Sequence, residues 1–413
     1  MTAASPVPMP DEIQVLPGPA LLAGIDEGPS LAAHRARHGT APAVTATRLL
    51  ALTADARLRG RGGAAFPFST TLAAATRGRR PVVVVNLCEG EPASSKDSAL
   101  ALTRPHLVLD GAVAAAGALG ARDVHVVLPG DRPHAAERMA QAIAERDDDR
   151  VRFRQHRADP RFVSGQARAV VELLAGRANL PVVAWAPEAV AGLQGRPTLL
   201  SNAETWAHVG LLVLHGEAAY TARGRVDEPG TTLLTVTAPG QVPHVHEVEY
   251  GARLRDVLPS SATGGPLLVG GFHGSWATWS TVASARVSVP GMAALGMPLG
   301  AGVVLAPGPG TCPLALTSQV VDHLAGQSSG RCGPCLNGLP ALAAAVRAAL
   351  TGSGGERGAV TEIERLSRLV ERRGACAHPD GTVRLVRSLL RALPGEVAAH
   401  GAGGCDAGTA EAA

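Results

Sequence analysis

Arg59-Gly60-Arg61-Gly62-Gly63-Ala64-Ala65-Phe66-Pro67, followed by the apolar run 82–86 and by Glu89-Gly90-Glu91-Pro92, decides how this chain is read. Three glycines let backbone N–H groups approach an anion, and Arg59 and Arg61 add positive charge. No Gly-Lys-Ser/Thr follows, so the stretch is not a P-loop; no strand immediately precedes the glycines, so it is not the dinucleotide fingerprint. Taken alone, the turn reads equally well as a surface loop. The strand tips the balance, because it ends in Asn86 and then offers Glu89, Glu91, a chain-reversing Pro92 and Lys96-Asp97. Polar groups at the carboxyl end of a buried strand are where open α/β sheets bind ligands. Lys96 is the only lysine in the chain. A compact ammonium does not replace a guanidinium, so its place inside the motif points to a functional or packing requirement.

Upstream, 1–44 is rich in Pro, Ala and Gly and reads as an irregular arm with one short helix near 30–38. Val44, Leu49, Leu50 and Leu52 predict a helix over 43–57 that delivers the chain to the glycine turn. Downstream, a helical stretch at 100–119, a strand at 123–128, a helix at 134–145 and a strand at 151–155 alternate, which argues for an α/β layered domain. The segment 162–176 reads as a loop into a helix. Ser201-Asn202-Ala203-Glu204-Thr205 opens another helix, with a ready N-cap that can equally hold a phosphate. From 222 the composition shifts: strands at 231–236 and 266–271 and a short helix at 254–258 outline a small β-rich module. From 318 onwards the pattern is helical, over 320–324, 339–350, 360–372 and 383–393, and a Gly/Ala-rich tail after His400 reads as disordered.

The 413 residues fit two or three domains. A net charge of +3, no Lys/Arg run and 3% aromatics argue against nucleic-acid binding. No signal-peptide pattern and no apolar stretch of about 18 residues are present, so no membrane span is expected and a cytoplasmic setting is. Six cysteines including a Cys-x2-Cys pair point to metal or redox work rather than a disulfide framework.

That pair lies in Ser328-Ser329-Gly330-Arg331-Cys332-Gly333-Pro334-Cys335, and Cys376 follows before a helix. Thiolates two residues apart can share one metal centre, but a [4Fe–4S] site ordinarily uses four cysteines. Ser329, His378, Cys312 and Cys405 are the candidates for the missing ligand. The residues alone leave an iron–sulfur cluster, a structural zinc with His378 and a redox dithiol all open. Cys88 reads as a buried small residue and His244 and His246 as one face of a solvated edge strand.

The motifs occur in a recognisable order: the Arg59–Pro67 turn, Asn86-Leu87-Cys88-Glu89-Gly90-Glu91-Pro92 with Lys96-Asp97, Arg196-Pro197-Thr198 leading to Ser201-Asn202-Ala203-Glu204-Thr205, then the cysteine loop and Cys376. In this order the chain resembles the flavin-binding subunit of respiratory complex I and its relatives in NAD-reducing hydrogenases and formate dehydrogenases, over about 45–400. The resemblance implies an α/β fold with a Rossmann-like FMN domain at 45–222, a small β-grasp module of the SLBB type at 223–310, and a helical bundle carrying an iron–sulfur site at 311–400, between the arm 1–44 and a disordered tail 401–413. It implies FMN and a [4Fe–4S] or incomplete iron–sulfur cluster as cofactors and NAD(H) as substrate. Arg59, Gly60, Arg61, Gly62, Gly63, Phe66, Asn86, Glu89, Glu91, Lys96, Ser201 and Asn202 would serve the cofactor, with Glu91 as the catalytic residue on the nicotinamide side. Cys332, Cys335, Cys376 and Ser329 would serve the metal. A hetero-oligomer with a ferredoxin-like subunit, or a ferredoxin as partner, goes with it.

The departures from the family pattern are concentrated where the nucleotide substrate would lie. Thr71 stands for a lysine, Ala74 for an aromatic, Leu87-Cys88 for Ala-Asp, and Gln166-Ala167-Arg168 for Glu-Glu-Thr. Phe66 and Trp185 remain to stack an adenine. Ser329 occupies the first cysteine position, a harder and poorer iron ligand. The leading expectation is an NADH dehydrogenase flavoprotein subunit passing electrons through FMN to the cluster. The alternatives are a flavin relay fed by ferredoxin and a non-catalytic scaffold.

Overall fold

The computed structural model describes residues 13–146, 151–353 and 355–405. The arm contributes a two-residue strand, β1 (Gln14–Val15), and helix α1 (Leu31–His38), which starts where the Ser30 hydroxyl accepts the Ala33 N–H. Helix α2 (Ala46–Asp55) is capped by Thr45 in the same way. Helix α3 (Phe68–Thr76) leaves the glycine turn and leads into β2 (Val82–Asn86).

The alternation expected from the sequence follows: α4 (Lys96–Thr103), α5 (Pro105–Leu119), β3 (Asp123–Leu128), α6 (Pro133–Ala144), β4 (Arg152–Arg157), α7 (Ala167–Leu174), α8 (Glu188–Ala191), β5 (Thr198–Asn202) and α9 (Ala203–Thr221). Strands β4-β3-β2-β5 form an all-parallel sheet in that order. Val82 to Val85 are wholly buried because β2 is an inner strand covered on both faces, which is why it reads as an unbroken valine run. The predicted helix at 100–119 is two helices, parted at Arg104-Pro105, where proline cannot continue the donor ladder. Helices α5 and α9 cross at Gly111 and Gly210. A Cβ on Gly111 would stand 1.9 Å from the Trp206 carbonyl oxygen, so only glycine admits this approach.

A second, mixed sheet is built from β6 (Thr231–Thr237), β7 (His244–Glu249), β8 (Leu267–Val269), β9 (Ser275–Ala277), helices α10 (Trp279–Ser284) and α11 (Val289–Ala294), and β10 (Val303–Leu305), in strand order β1-β7-β6-β10-β8-β9. Two expectations change here. The arm is not wholly irregular, since β1 pairs in parallel with β7 through Gln14–His244 and Val15–Val245. For the same reason β7 is not a solvated edge, and His244 is buried. Glu247 secures the arm by accepting the N–H groups of Ala20 (3.0 Å), Leu21 (2.8 Å) and Leu22 (2.9 Å), and the Thr231 hydroxyl (2.6 Å).

The remainder is a helical bundle, α12 (Pro313–Gly326), α13 (Leu339–Leu350), α14 (Gly355–Val370), α15 (His378–Ala392) and α16 (Pro394–Gly401), around Leu314, Val320, Leu324, Leu339, Leu342 and Leu385. Residues 401–405 are described, whereas the rest of the expected disordered tail lies outside the described residues. Among the described residues no helix is long and apolar enough to cross a membrane.

Candidate functional site

The glycine turn is closed by its own backbone. Gly60 N–H donates to the Phe66 carbonyl at 2.8 Å, the Arg59 guanidinium to the Ala65 carbonyl at 3.2 Å, and Arg61 N–H to the Thr205 hydroxyl at 2.9 Å. Within that frame Gly63 takes φ +93° and Ala65 φ +50°. A non-glycine residue held in the left-handed region costs of order 1 kcal/mol, which the closed turn must offset. Among the described residues none accepts from the N–H groups of Gly62, Gly63, Ala64 or Ala65. A Cβ on Gly62 would meet nothing within 4 Å, so the space beside it is open. Successive free N–H groups on a tight loop form an anion-binding concavity, and this is the fit the phosphate end of a flavin nucleotide requires. Beside the loop lies a cavity of about 210 Å³ lined by Gly60, Gly63, Lys96, Glu204, Tyr250 and Gly300. It is smaller than the roughly 300 Å³ of a typical small cofactor pocket, and can take only part of such a molecule.

Strands β2 and β5 bring Asn86 opposite Asn202 and Val85 opposite Ser201 at the carboxyl end of the parallel sheet. The Ser201-Asn202 motif suggests a helix starting at Ser201; instead strand β5 runs through Asn202 before α9 begins. Asn202 does not cap that helix with its side chain. Its amide donates to Asp97 at 3.1 Å and its carbonyl accepts the Thr205 hydroxyl at 2.5 Å. The Asn86 amide donates to the Gly165 carbonyl at 2.8 Å and its oxygen accepts Cys88 N–H at 3.0 Å, so both asparagines shape the floor of the site. The Ser201 hydroxyl has no partner among the described residues. Glu89 is fully engaged at the start of α4, accepting from Ser94 Oγ, Asp97 N, Ser98 N and Ser98 Oγ at 2.6–3.0 Å. Phe66 remains 57% exposed at the rim.

Beneath the loop lies a buried charge cluster. Lys96 Nζ stands 3.0 Å from Asp97 Oδ2 and 3.1 Å from Glu204 Oε2, and Arg61 Nε 3.8 Å from Glu204 Oε1. Glu204 also accepts the Thr232 hydroxyl and Leu233 N–H, both at 3.0 Å, which binds the first sheet to the second. Arg61 is itself buried, donating to the Tyr250 hydroxyl and to the Thr231 carbonyl at 3.0 Å. Burial acts to lower the Lys96 pKa, but the facing Asp97 and Glu204 carboxylates outweigh it and hold the ammonium charged. Lys96 and Arg61 thus lock two modules together. Glu204 was visible in the sequence motif; Tyr250 carried no signal, since only the fold brings it under the loop.

Glu91 sits where the loop after β2 meets the loop between β8 and β9. Its carboxylate accepts Phe272 N–H at 2.8 Å and Ala93 N–H at 3.3 Å, and burial pushes its pKa up to about 7. Beyond Phe272, the His273 ring lies 4.6 Å from the Phe162 ring, and its Nε2 is 3.1 Å from His378 Nδ1.

This chain of contacts arrives at the cysteine loop. Cys332 Sγ and Cys335 Sγ lie 3.0 Å apart, with Ser329 Oγ 3.6 Å from Cys335 Sγ. Cys335 lies in a π-helical turn, Pro334–Gly338, a geometry that recurs at functional sites. Cys376 lies near enough for both of these thiols to act on it electrostatically, and the Gln166 side chain is hydrogen-bonded to it. His378 offers no ligand atom, because its Nε2 is 2.8 Å from the Leu324 carbonyl and its Nδ1 faces His273. Cys312 precedes α12 while the cysteine loop follows it, and a helix of 14 residues spans about 21 Å. The Cys332, Cys335 and Cys376 thiols and the Ser329 hydroxyl are the donors this region offers, a set whose chemistry suits iron–sulfur ligation with one oxygen ligand.

A parallel α/β sheet with an anion-ready loop near its carboxyl edge, joined to a helical bundle with convergent thiols, defines a protein of the flavo-iron–sulfur class. Residues 53–211 match the Nuo51 FMN-binding domain, and 315–400 the NADH-ubiquinone oxidoreductase-F iron-sulfur binding region. Together these matches span more than half of the chain, which belongs to the family of flavin-binding subunits of NADH-quinone oxidoreductases and related enzymes. An NADH-quinone oxidoreductase subunit of Rhizobium meliloti is 28% identical over 378 residues, covering 86% of this chain and 89% of the relative. The corresponding NADH-quinone oxidoreductase subunit of Escherichia coli is 26% identical over 359 residues, covering 82% and 80%. An NAD+-reducing [NiFe]-hydrogenase in the H2-reduced state shares the fold, with a TM-score of 0.83 at 24% identity over 94% of this chain and 68% of that one.

Proposed function

We propose that the chain is a flavin- and cluster-bearing electron-transfer subunit that oxidises NADH and hands the electrons to a partner protein. The observation that carries this reading is the row of four N–H groups at 62–65 that find no acceptor among the described residues, inside the segment that matches the FMN-binding domain. The loop and the Ser201 hydroxyl hold the phosphate end of FMN, while Asn86, Glu89, Lys96 and Asn202 fix the shape of the loop's surroundings. When bound, FMN supplies the conversion of a two-electron donor into one-electron transfers. Glu91, poised near neutrality, can take up or release a proton beside that site. Ser329, Cys332, Cys335 and Cys376 hold the iron–sulfur cluster. In this reading 45–222 is the flavin domain, 223–310 a β-grasp module of the SLBB type and 311–400 the cluster-binding bundle. The acceptor is a ferredoxin-like subunit within a hetero-oligomer. The test is an anaerobic absorbance and EPR spectrum of the purified chain before and after NADH. Flavin bands that bleach, with a reduced-cluster signal appearing, support the proposal; a colourless chain after FMN and iron–sulfide reconstitution sinks it.

A second reading has its own observation. The segment where the family carries two carboxylates is committed elsewhere: Gln166 bonds to Cys376, and Arg168 is paired with Glu188 at 2.7 Å. The absence of an acidic side chain at 166–168 supports, as the second reading, a relay fed by a reduced ferredoxin rather than NADH. Flavin that bleaches only with reduced ferredoxin selects it.

A further inference from the structure

We propose that the chain carries a second metal centre, a structural zinc site made by Cys312, Glu396, His400 and Cys405. One ligand atom from each of these side chains lies within 4.8 Å of all the others. Cys312 Sγ is 3.2 Å from His400 Nε2 and 3.6 Å from Glu396 Oε2. Zinc bonds of about 2.0–2.3 Å in a tetrahedron set ligand atoms roughly 3.3–3.8 Å apart, so these edges are already close to ligand spacing.

Three separate pieces of chain build the site. Cys312 occupies the N-cap of α12, its sulfur accepting Ala315 N–H at 3.3 Å. Glu396 and His400 are four apart on α16, which places them on one face. Past Gly401 the chain turns through Gly403, at φ +80°, and returns Cys405 to the group. The sequence had offered Cys312 and Cys405 as candidates for the missing cluster ligand, but the length of α12 separates them from the cysteine loop.

The chemistry selects the ion. Two thiols, an imidazole and a carboxylate suit zinc, whereas magnesium and calcium prefer oxygen donors alone. Four protein ligands leave no open position, the mark of a structural rather than a catalytic centre. Uptake of the ion displaces one proton from each thiol and involves no change of oxidation state. Its effect is to staple α16 and the end of the described chain to the start of α12, next to the junction with the second sheet.

The test uses the full chain, purified anaerobically with its cluster, with zinc and iron measured together. One zinc per chain is expected, lost in Cys312→Ser and Cys405→Ser while iron is retained, and retained in Cys332→Ser while iron falls. Cys405 lies outside the packed core, so loss of folding does not confound Cys405→Ser. Cobalt added after zinc removal should give a thiolate-to-cobalt charge-transfer band that Cys405→Ser abolishes and Cys332→Ser preserves. Absence of that band, zinc that departs with iron in Cys332→Ser, or a Cys312–Cys405 disulfide in the anaerobic protein would each overturn the proposal.

Discussion

The Glu91 carboxylate accepts the backbone N–H of Phe272 at 2.8 Å, so a charged loop of the first sheet is fastened to a tight turn of the second. The turn admits nothing larger at the contact: a Cβ on Gly271 would stand 2.6 Å from Glu91 Oε2.

Burial raises the Glu91 pKa from 4.5 to about 7. Between those values the unfolded chain gives up this proton and the folded chain keeps it. The contribution is therefore present in full below the lower value and declines as pH rises towards the upper. Glu91→Gln cannot ionise, so wild-type stability should fall relative to the variant between about pH 5 and pH 8. Thermal midpoints of both proteins across that range check this; parallel curves would refute the assignment.

In the proposed cluster site Ser329, 3.6 Å from Cys335 Sγ, would be the weakest donor. Ser329→Cys should hold iron more firmly, read as slower loss of the cluster's absorbance under a chelator. Cys376→Ser should lose most of its iron. Iron content unchanged in both variants would remove the cluster from this loop.

Lys96 neutralises Asp97 and Glu204 in a buried setting. Lys96→Met leaves Asp97 without a cation and Glu204 with only the more distant Arg61, and should destabilise the chain by about 3–5 kcal/mol. Adding Glu204→Gln should restore part of that loss in denaturant melts. A loss below about 1 kcal/mol, as for an exposed ion pair, would show that the cluster is solvated.

Two neighbouring glycines should separate binding from folding. A Cβ at Gly62 meets nothing within 4 Å, so Gly62→Val should leave the flavin-free chain within about 0.5 kcal/mol of wild type while weakening FMN binding in a fluorescence titration. Gly63→Val must adopt φ +93° with its Cβ 3.4 Å from the Gly300 carbonyl oxygen, and should cost about 1–2 kcal/mol of stability. Equal FMN affinity in Gly62→Val and wild type would place the phosphate elsewhere.

The sequence reading reached those elements whose residues carry local signals. The valine run gave β2 its bounds, and the caps at Ser30 and Thr45 mark helix starts that a side chain can announce. Strand β5 was hidden because Ser201-Asn202 reads as a helix cap when only its neighbours in sequence are considered. Partners distant along the chain left no trace. Nothing near Glu204 announces Thr232, and nothing near Cys312 announces His400. Lys96 stood out as the only lysine, but its role could be read only once Asp97 and Glu204 were seen on either side of it.

The attachment of the arm has a consequence for how the molecule is made. Ala20 and the Glu247 carboxylate that receives its N–H are 227 positions apart. At ribosomal rates of roughly 5–20 residues per second, the arm emerges some ten to fifty seconds before its partner exists. The parallel sheet can assemble during that interval, since all its strands precede β6. The arm therefore settles only after 244–249 have been made, so its docking onto β7 and Glu247 is a late step that the parallel sheet does not wait for.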